Sequence, residues 1–402
     1  MAENPTNRSW SLAALLAALA MLGTFSVDMY LPAFPAIGRD LHAPPLAVQQ
    51  TLSSYLLAYA FMMLWHGALS DALGRRPVIL AGLAAYAAAT LGCALSGTIG
   101  MLWLFRTVQG LAAGGGLAVG RAIVRDCFNG AEAQRLMSQI TLVFSIAPAL
   151  APVIGGSLLN LLGWRWIFGV LFLVVAALTA WAFVRLPETL PRGMRQSLHP
   201  RLLWRNYVMV LTRPEFLLLT AMTALNFAGF FIYIAAAPVF LMDRLGVTTW
   251  GFAWLFVPMI GGVMLGALTS GRLAGRVSPP RTIGFGFAIM GAAIVINLLI
   301  CAVLPPRPLW NVAPIMIFTV GSSLVNPSAT LLMLELFPGV RGLTSSLQSF
   351  VQFALAAVNA AVIAPLLAAS LTSLALGMAA FGILGAVAWL LYLKRRFSGS
   401  LS

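Results

Sequence analysis

The chain alternates long apolar runs with short polar interruptions. The stretches 11–34, 77–95 and 282–304 are long and largely unbroken. Each meets the roughly 20 apolar residues that a helix needs to cross the hydrocarbon of a bilayer. Read from end to end, the pattern predicts twelve transmembrane helices near 11–34, 48–70, 77–96, 100–122, 137–160, 165–186, 215–238, 249–272, 282–304, 309–334, 342–367 and 371–394. The ten-residue apolar/polar alternation of a membrane β-barrel is missing. The expected fold class is therefore an all-α membrane protein of twelve spans.

Composition agrees with this pattern. Of the 402 residues, 60% are hydrophobic and only 8% are charged, with a mean hydropathy of +0.94. A soluble domain carries about a quarter charged residues, so this chain cannot cover a water-facing surface. A formal charge of +14 would suggest nucleic acid in a soluble protein, but its distribution says otherwise. With the N-terminus inside, 19 of the 24 Lys and Arg fall in cytoplasmic segments and 4 in outer segments (Arg39, Arg165, Arg244 and Arg307), with Arg106 inside a helix. The positive-inside rule then places both termini in the cytoplasm and favours an even number of spans. No nucleic-acid partner is expected.

The first apolar segment is too long for a signal-peptide core and lacks a small-residue cleavage site, so it is expected to stay as a helix. Cys93, Cys127 and Cys301 are odd in number and unclustered; they suggest neither a disulfide framework nor a metal site and are read as packing residues. The longest polar stretch, 187–214, cuts the chain near its middle and carries Arg192, Arg195, His199, Arg201, Arg205 and Arg213. It divides the chain into a first six-helix bundle over 1–186, a cytoplasmic linker over 187–214 and a second bundle over 215–402. Within the linker, Leu202, Leu203 and Trp204 suit a segment lying on the anionic inner leaflet. The halves also echo one another. Gly67-Ala-Leu-Ser-Asp71-Ala-Leu-Gly74-Arg75-Arg76 follows the second helix, and Gly266-Ala-Leu-Thr-Ser270-Gly-Arg272-Leu-Ala-Gly275-Arg276 follows the eighth, 199 residues later. Such repetition points to a 6+6 transporter whose site lies near the midplane between its halves.

Asp28 is the only acidic residue well inside the predicted spans. It lies six residues, roughly 9 Å, from the outer end of helix one, and Arg106 lies at a similar depth in helix four. A lone charge in hydrocarbon is expensive, so such groups face a cavity or a partner. A structural ion pair or a rim aspartate is one reading. The other makes Asp28 a carboxylate that exchanges a proton, since burial penalises its charged form and nearby positive charge favours it. At the cytoplasmic surface, Gly67, Asp71, Gly74, Arg75 and Arg76 form a turn in which glycines allow close backbone approach and Pro77 starts the next helix. Asp71 is expected to pair with Arg121 or Arg125, or to cap the N-terminus of helix eleven near Gly342, latching the halves. Helix five carries small residues and two prolines in Ala147-Pro148-Ala-Leu-Ala151-Pro152-Val-Ile-Gly155-Gly156, and helix eight offers Gly262 and Gly266; a tight seam between these two helices is one reading, and generic close packing of helices is the other. Candidate substrate contacts are Tyr30, Tyr55 and Tyr59 in the first half, and Asn226, Phe227, Phe230 and Tyr233 on helix seven. Gln348 and Gln352, four apart, share one face of helix eleven. Gly114-Gly115-Gly116 lacks the Lys and Ser/Thr of a phosphate loop, so no ATP hydrolysis and no cofactor are expected.

Together these residues resemble the major facilitator superfamily. The 67–77 segment is similar to its signature loop. Arg106-Thr-Val-Gln109-Gly110 is similar to its helix-four motif, which the family associates with proton transfer and which adds Gln109 to the substrate-site candidates. Ala151-Pro152-Val-Ile-Gly155-Gly156 resembles the antiporter motif, with alanine where glycine is usual. Asp28-Met-Tyr-Leu-Pro32-Ala-Phe-Pro35, Thr51-Leu-Ser-Ser-Tyr55 and Arg125-Asp126 resemble the Bcr/CflA branch of drug:proton antiporters. Around Trp65 and His66 the chain departs from that branch, and His66 is placed at the membrane edge. The resemblance implies a monomeric multidrug exporter of a bacterial inner membrane, driven by the proton gradient by alternating access, with Asp28 and Arg106 coupling protons. It adds Arg125 and Asp126 to the gating residues and implies amphipathic drugs such as chloramphenicol or bicyclomycin as substrates. A carrier of a native metabolite, such as an amino acid, is the alternative. An embedded enzyme would need a metal triad, nucleophile constellation or phosphate cradle, and the sequence supplies none.

Overall fold

The computed structural model describes residues 5–128, 130–195, 200–337 and 340–398, and the side chains of most of them. The side chains of 5–11, 117, 125, 130–135, 138–139, 141–145, 200, 202–203 and 397–398 lie outside that description, so the expectations on Arg125, Leu202 and Leu203 do too. The described chain is helical, with no strand. The first unit runs through α1 (Pro5–Asp28), α2 (Phe34–Asp40), α3 (Pro45–Met63), α4 (His66–Leu73) and α5 (Arg75–Ala94). It continues through α6 (Ile99–Ala113), α7 (Gly115–Cys127), α8 (Gly130–Leu162) and α9 (Arg165–Arg185). The second holds α10 (Pro200–Leu211), α11 (Pro214–Ala235), α12 (Ala253–Leu273) and α13 (Pro279–Val303), then α14 (Pro308–Leu336), α15 (Arg341–Val358), α16 (Ala364–Leu367) and α17 (Leu371–Ser398).

The protein is an all-α, multi-pass membrane protein. Among the described residues nine helices are long and apolar enough to cross a bilayer, and α3 with α4, bent by 48°, forms a tenth span if counted as one. The two remaining predicted spans fall on α6 with α7, broken at Gly114, and on α8, whose apolar part is Ile146–Leu162. Prolines open α3, α11, α13 and α14, where a missing N–H costs no helical bond. Thr98 caps α6 by accepting from the Met101 N–H at 3.3 Å. Helix one is not continuous to 34: it stops at Asp28, and a single tight turn over Leu31–Ala33 leads into α2. Pro32 and Pro35 withhold the N–H groups that a continuous helix would need there.

The chain divides into two compact units, Met1–His199 and Pro200–Ser402. In the first, α1 packs on α8, α3 on α6, and α5 on both α6 and α9. In the second, α14 packs on α12 and α13, and α11 on α17. The small residues of helices five and eight pack closely within their own units. A methyl group on Gly155 would strike the Met29 carbonyl just past α1, and one on Gly262 or Gly266 would strike carbonyls of α14. The reason is local: the chain leaves helical geometry at Met29 and gives α8 a backbone to approach. The repeat is expressed in the turns as well. Gly74 (φ 105°) and Gly275 (φ 76°) both occupy the left-handed region that favours glycine.

Candidate functional site

The first unit concentrates its polar chemistry around Arg106, which is fully buried on α6. Its guanidinium carbon lies 4.8 Å from the ring centre of Tyr30 and 4.3 Å from that of Tyr55. Desolvated contacts of this kind are worth about 2 kcal/mol. Its Nη1 donates to the Ser26 carbonyl at 3.1 Å, the Ser26 hydroxyl at 2.9 Å and the Gln109 Oε1 at 2.6 Å. Gln109 passes the chain on, donating from Nε2 to Thr90 Oγ1 at 2.8 Å, and Thr90 donates to the Tyr86 carbonyl at 2.7 Å. Tyr55 donates to the Gly23 carbonyl at 3.3 Å and stacks on Tyr59, 6.2 Å between centres. Tyr30 shares a 2.5 Å hydrogen bond with Thr51. Among the described residues, Nε and Nη2 of Arg106 have no hydrogen-bond partner. A fully buried cation with two free donors is costly unless a charge or dipole compensates it.

Asp28 closes α1 and is 5% exposed. It makes no ion pair with Arg106, nor any hydrogen bond among the described residues, although Tyr55 lies within electrostatic reach of both. It also sits at a helix C-terminus, where exposed carbonyls repel negative charge. The unit thus holds a buried acid and a buried base, both incompletely compensated, around one aromatic cluster. His66 lies inside the first unit. It is 3% exposed, with its ring against Gly114 and Gly115, where only glycine leaves room for the imidazole.

A second constellation gathers at the turn between α4 and α5. Arg75, only 7% exposed, donates from Nη1 to Asp71 at 2.5 Å and Ser70 at 2.7 Å, and from Nε to Asp126 at 3.0 Å. Asp71 pairs with Arg75, four residues on and within reach across the turn; the expected pairing with Arg125 lies outside the described side chains. Glu188, just beyond α9, accepts from the Arg75 and Leu190 N–H groups, each at 3.0 Å, and meets Arg195 at 3.5 Å. Thr189 donates to Asp126 at 3.0 Å. Arg76 turns away and donates to the Phe183 carbonyl at 2.7 Å. Gly67 has open space around it.

In α8, Ala151, Pro152, Gly155 and Gly156 are all buried. In the second unit, Phe227 meets the rings of Phe230, Phe231 and Phe353 at 5.0, 5.3 and 6.0 Å. Tyr233 stands apart, its hydroxyl accepting from Asn297 Nδ2 at 2.8 Å. Gln348 donates from Nε2 to Thr330 at 3.1 Å, and Gln352 is half-buried one turn on. Asn226 is 1% exposed, its oxygen against Gly385 of α17, and neither amide atom has a partner among the described residues. Cys93 is buried as expected, while Cys127 is exposed at the end of α7.

The sequence pattern of the Major Facilitator Superfamily matches residues 16–360. The chain belongs to that superfamily. Among its relatives within it, the bicyclomycin resistance protein homolog of Haemophilus influenzae is 31% identical over 87% of each chain. The chloramphenicol resistance protein of Pseudomonas aeruginosa is 34% identical over 72% of this chain and 70% of its own. Multidrug resistance protein D of Escherichia coli is 29% identical over 95% and 96%. The fold is also that of solved superfamily transporters. A D-xylose–proton symporter matches with a TM-score of 0.73 over 96% of this chain and 97% of its own, at 14% identity. The nucleoside transporter NupG matches with a TM-score of 0.74 over 95% and 99%, also at 14% identity.

This superfamily transporter uses residues that motif reading passed over. Ser26 bridges the buried arginine and stands two positions before Asp28, the one signal that pointed to it. Thr90 braces Gln109 from α5, and nothing in its neighbourhood singles it out. Glu188 and Thr189 sit in what reads as linker.

Proposed function

We propose that the protein is a proton-coupled exporter of small lipophilic or amphipathic drugs, of the kind that chloramphenicol and bicyclomycin represent. The relatives carrying resistance names support the substrate class. The observation that carries the coupling is Asp28, a carboxylate buried at the end of α1 without a counter-ion among the described residues. A charged acid in that setting is expensive, so its loading with a proton is tied to its access to water. Arg106 sets the local field beside it, through Tyr55 and Ser26. Asp28 takes a proton from the outer side and surrenders it inside while drug leaves, in an alternating-access cycle. Arg75, Asp71 and Asp126 hold the gating turn, and both termini lie in the cytoplasm.

The test expresses the chain in cells lacking their major pumps and follows ethidium and chloramphenicol accumulation with and without a protonophore. Export that collapses with the protonophore, and that Asp28→Asn abolishes while the protein still inserts, is the expected result. Wild-type export by Asp28→Asn would refute the role of that residue. Transport that persists with the protonophore would favour a metabolite carrier.

A further inference from the structure

The linker carries a surface that the transport cycle does not use. Its second half folds as α10, and only Thr212 and Arg213 separate α10 from the membrane span α11. α10 therefore starts from the bilayer surface. One side of it packs on α11 and α15: Val210 is fully buried, and Asn206 and Tyr207 are half-buried. The opposite side is bare. Trp204 is 71% exposed, and Val208 and Leu211 follow at four- and seven-residue spacing, each 39% exposed. Arg201 and Arg205 are exposed on the same side, one turn apart and beside Trp204. Met209, 43% exposed, completes that flank. Arg213 follows, and the nearest acid along the chain is Glu215, half-buried in the first turn of α11.

Water is a poor neighbour for an exposed tryptophan, valine, methionine and leucine on one stripe, and a protein partner would have to sit at the mouth of a span. Basic side chains flanking an apolar stripe fit the boundary between headgroups and acyl chains. There the apolar residues reach the hydrocarbon edge while the arginines meet phosphodiesters. We infer that the bare side of α10 is a docking surface for anionic phospholipid headgroups, with Arg201 and Arg205 as the phosphate contacts and Trp204 as the anchor. The inference rests on the protein being a membrane protein and is independent of what it exports.

The test uses the full chain with its three cysteines replaced by serine and a bimane fluorophore on Trp204→Cys. The protein is reconstituted in vesicles of phosphatidylcholine and phosphatidylglycerol, and the quencher is a spin-labelled lipid of either headgroup at equal mole fraction. Spin-labelled phosphatidylglycerol should quench several-fold more strongly than spin-labelled phosphatidylcholine. Each arginine near an anionic surface contributes about a fivefold preference, so Arg201→Gln with Arg205→Gln should bring the two quenchers to parity. Parity in the unsubstituted helix would overturn the inference. So would full quenching by aqueous iodide with none by either lipid, or quenching that varies with protein-to-lipid ratio, which would put a second copy on this face.

Discussion

Arg75→Lys keeps the positive charge at the α4–α5 turn and removes the planar fork. In the native turn one nitrogen serves Asp71 at 2.5 Å and Ser70 at 2.7 Å, while another serves Asp126 at 3.0 Å. An ammonium is a point on a flexible stem and cannot hold both carboxylates at those places. A hydrogen bond to a charged group contributes about 1.5–3 kcal/mol when sheltered. Here Asp71 is 41% and Asp126 22% exposed, so solvent screening reduces the loss to about 1 kcal/mol. Thermal unfolding of the purified protein should show a drop of about 2–4 °C at low ionic strength and a smaller one in high salt. The bond from the residue-75 backbone N–H to Glu188 does not depend on the side chain. Glu188→Gln and Arg75→Lys should therefore add to within about 0.5 kcal/mol, whereas Asp126→Asn and Arg75→Lys share one contact and should cost less together than their sum. Strict additivity of the second pair would refute the assignment of Asp126 to the arginine fork.

Other expectations are simpler. Gly262→Ala should lower stability by about 1–3 kcal/mol because its methyl group meets the Met316 carbonyl, whereas Gly261→Ala, with open space around it, should be neutral or stabilising; paired melting curves decide. Tyr233→Phe should cost about 1–3 kcal/mol by stranding the Asn297 amide in the core, read by the same melts. Asp40→Asn should change stability by less than about 1 kcal/mol, because its partner Arg165 and Asp40 itself are each more than two-fifths exposed.

The helices were readable because hydrocarbon thickness imposes a length that composition reports directly. Their interruptions were less so. Pro32 and Pro35 announce that helix one cannot run on to 34, yet nothing in the apolar count marks Asp28 as its last residue. Small-residue faces were visible on helices five and eight, but such a face does not name its partner; Gly262 and Gly266 chose α14 because Met316 and Val320 present carbonyls at that spacing. Asp28 and Arg106 stood out as charges among apolar residues. The partners of Arg75 did not all do so: Glu188 is 113 residues away, and no periodicity links the two. Charge and length are local properties of a sequence, whereas the choice among equally suitable neighbours is made by packing.

The break between α3 and α4 lies level with the one between α6 and α7, because His66 fills the space left by Gly114 and Gly115. At the far ends of the two short helices, Arg75 ties Asp71 of α4 to Asp126 of α7. α4 and α7 thus meet at both ends, at the histidine and at the arginine fork. Arg106 lies eight residues up α6 from Gly114, about 12 Å along the axis. The charged turn and the helix that carries the buried guanidinium are thus attached to the two ends of the same short helix, α7.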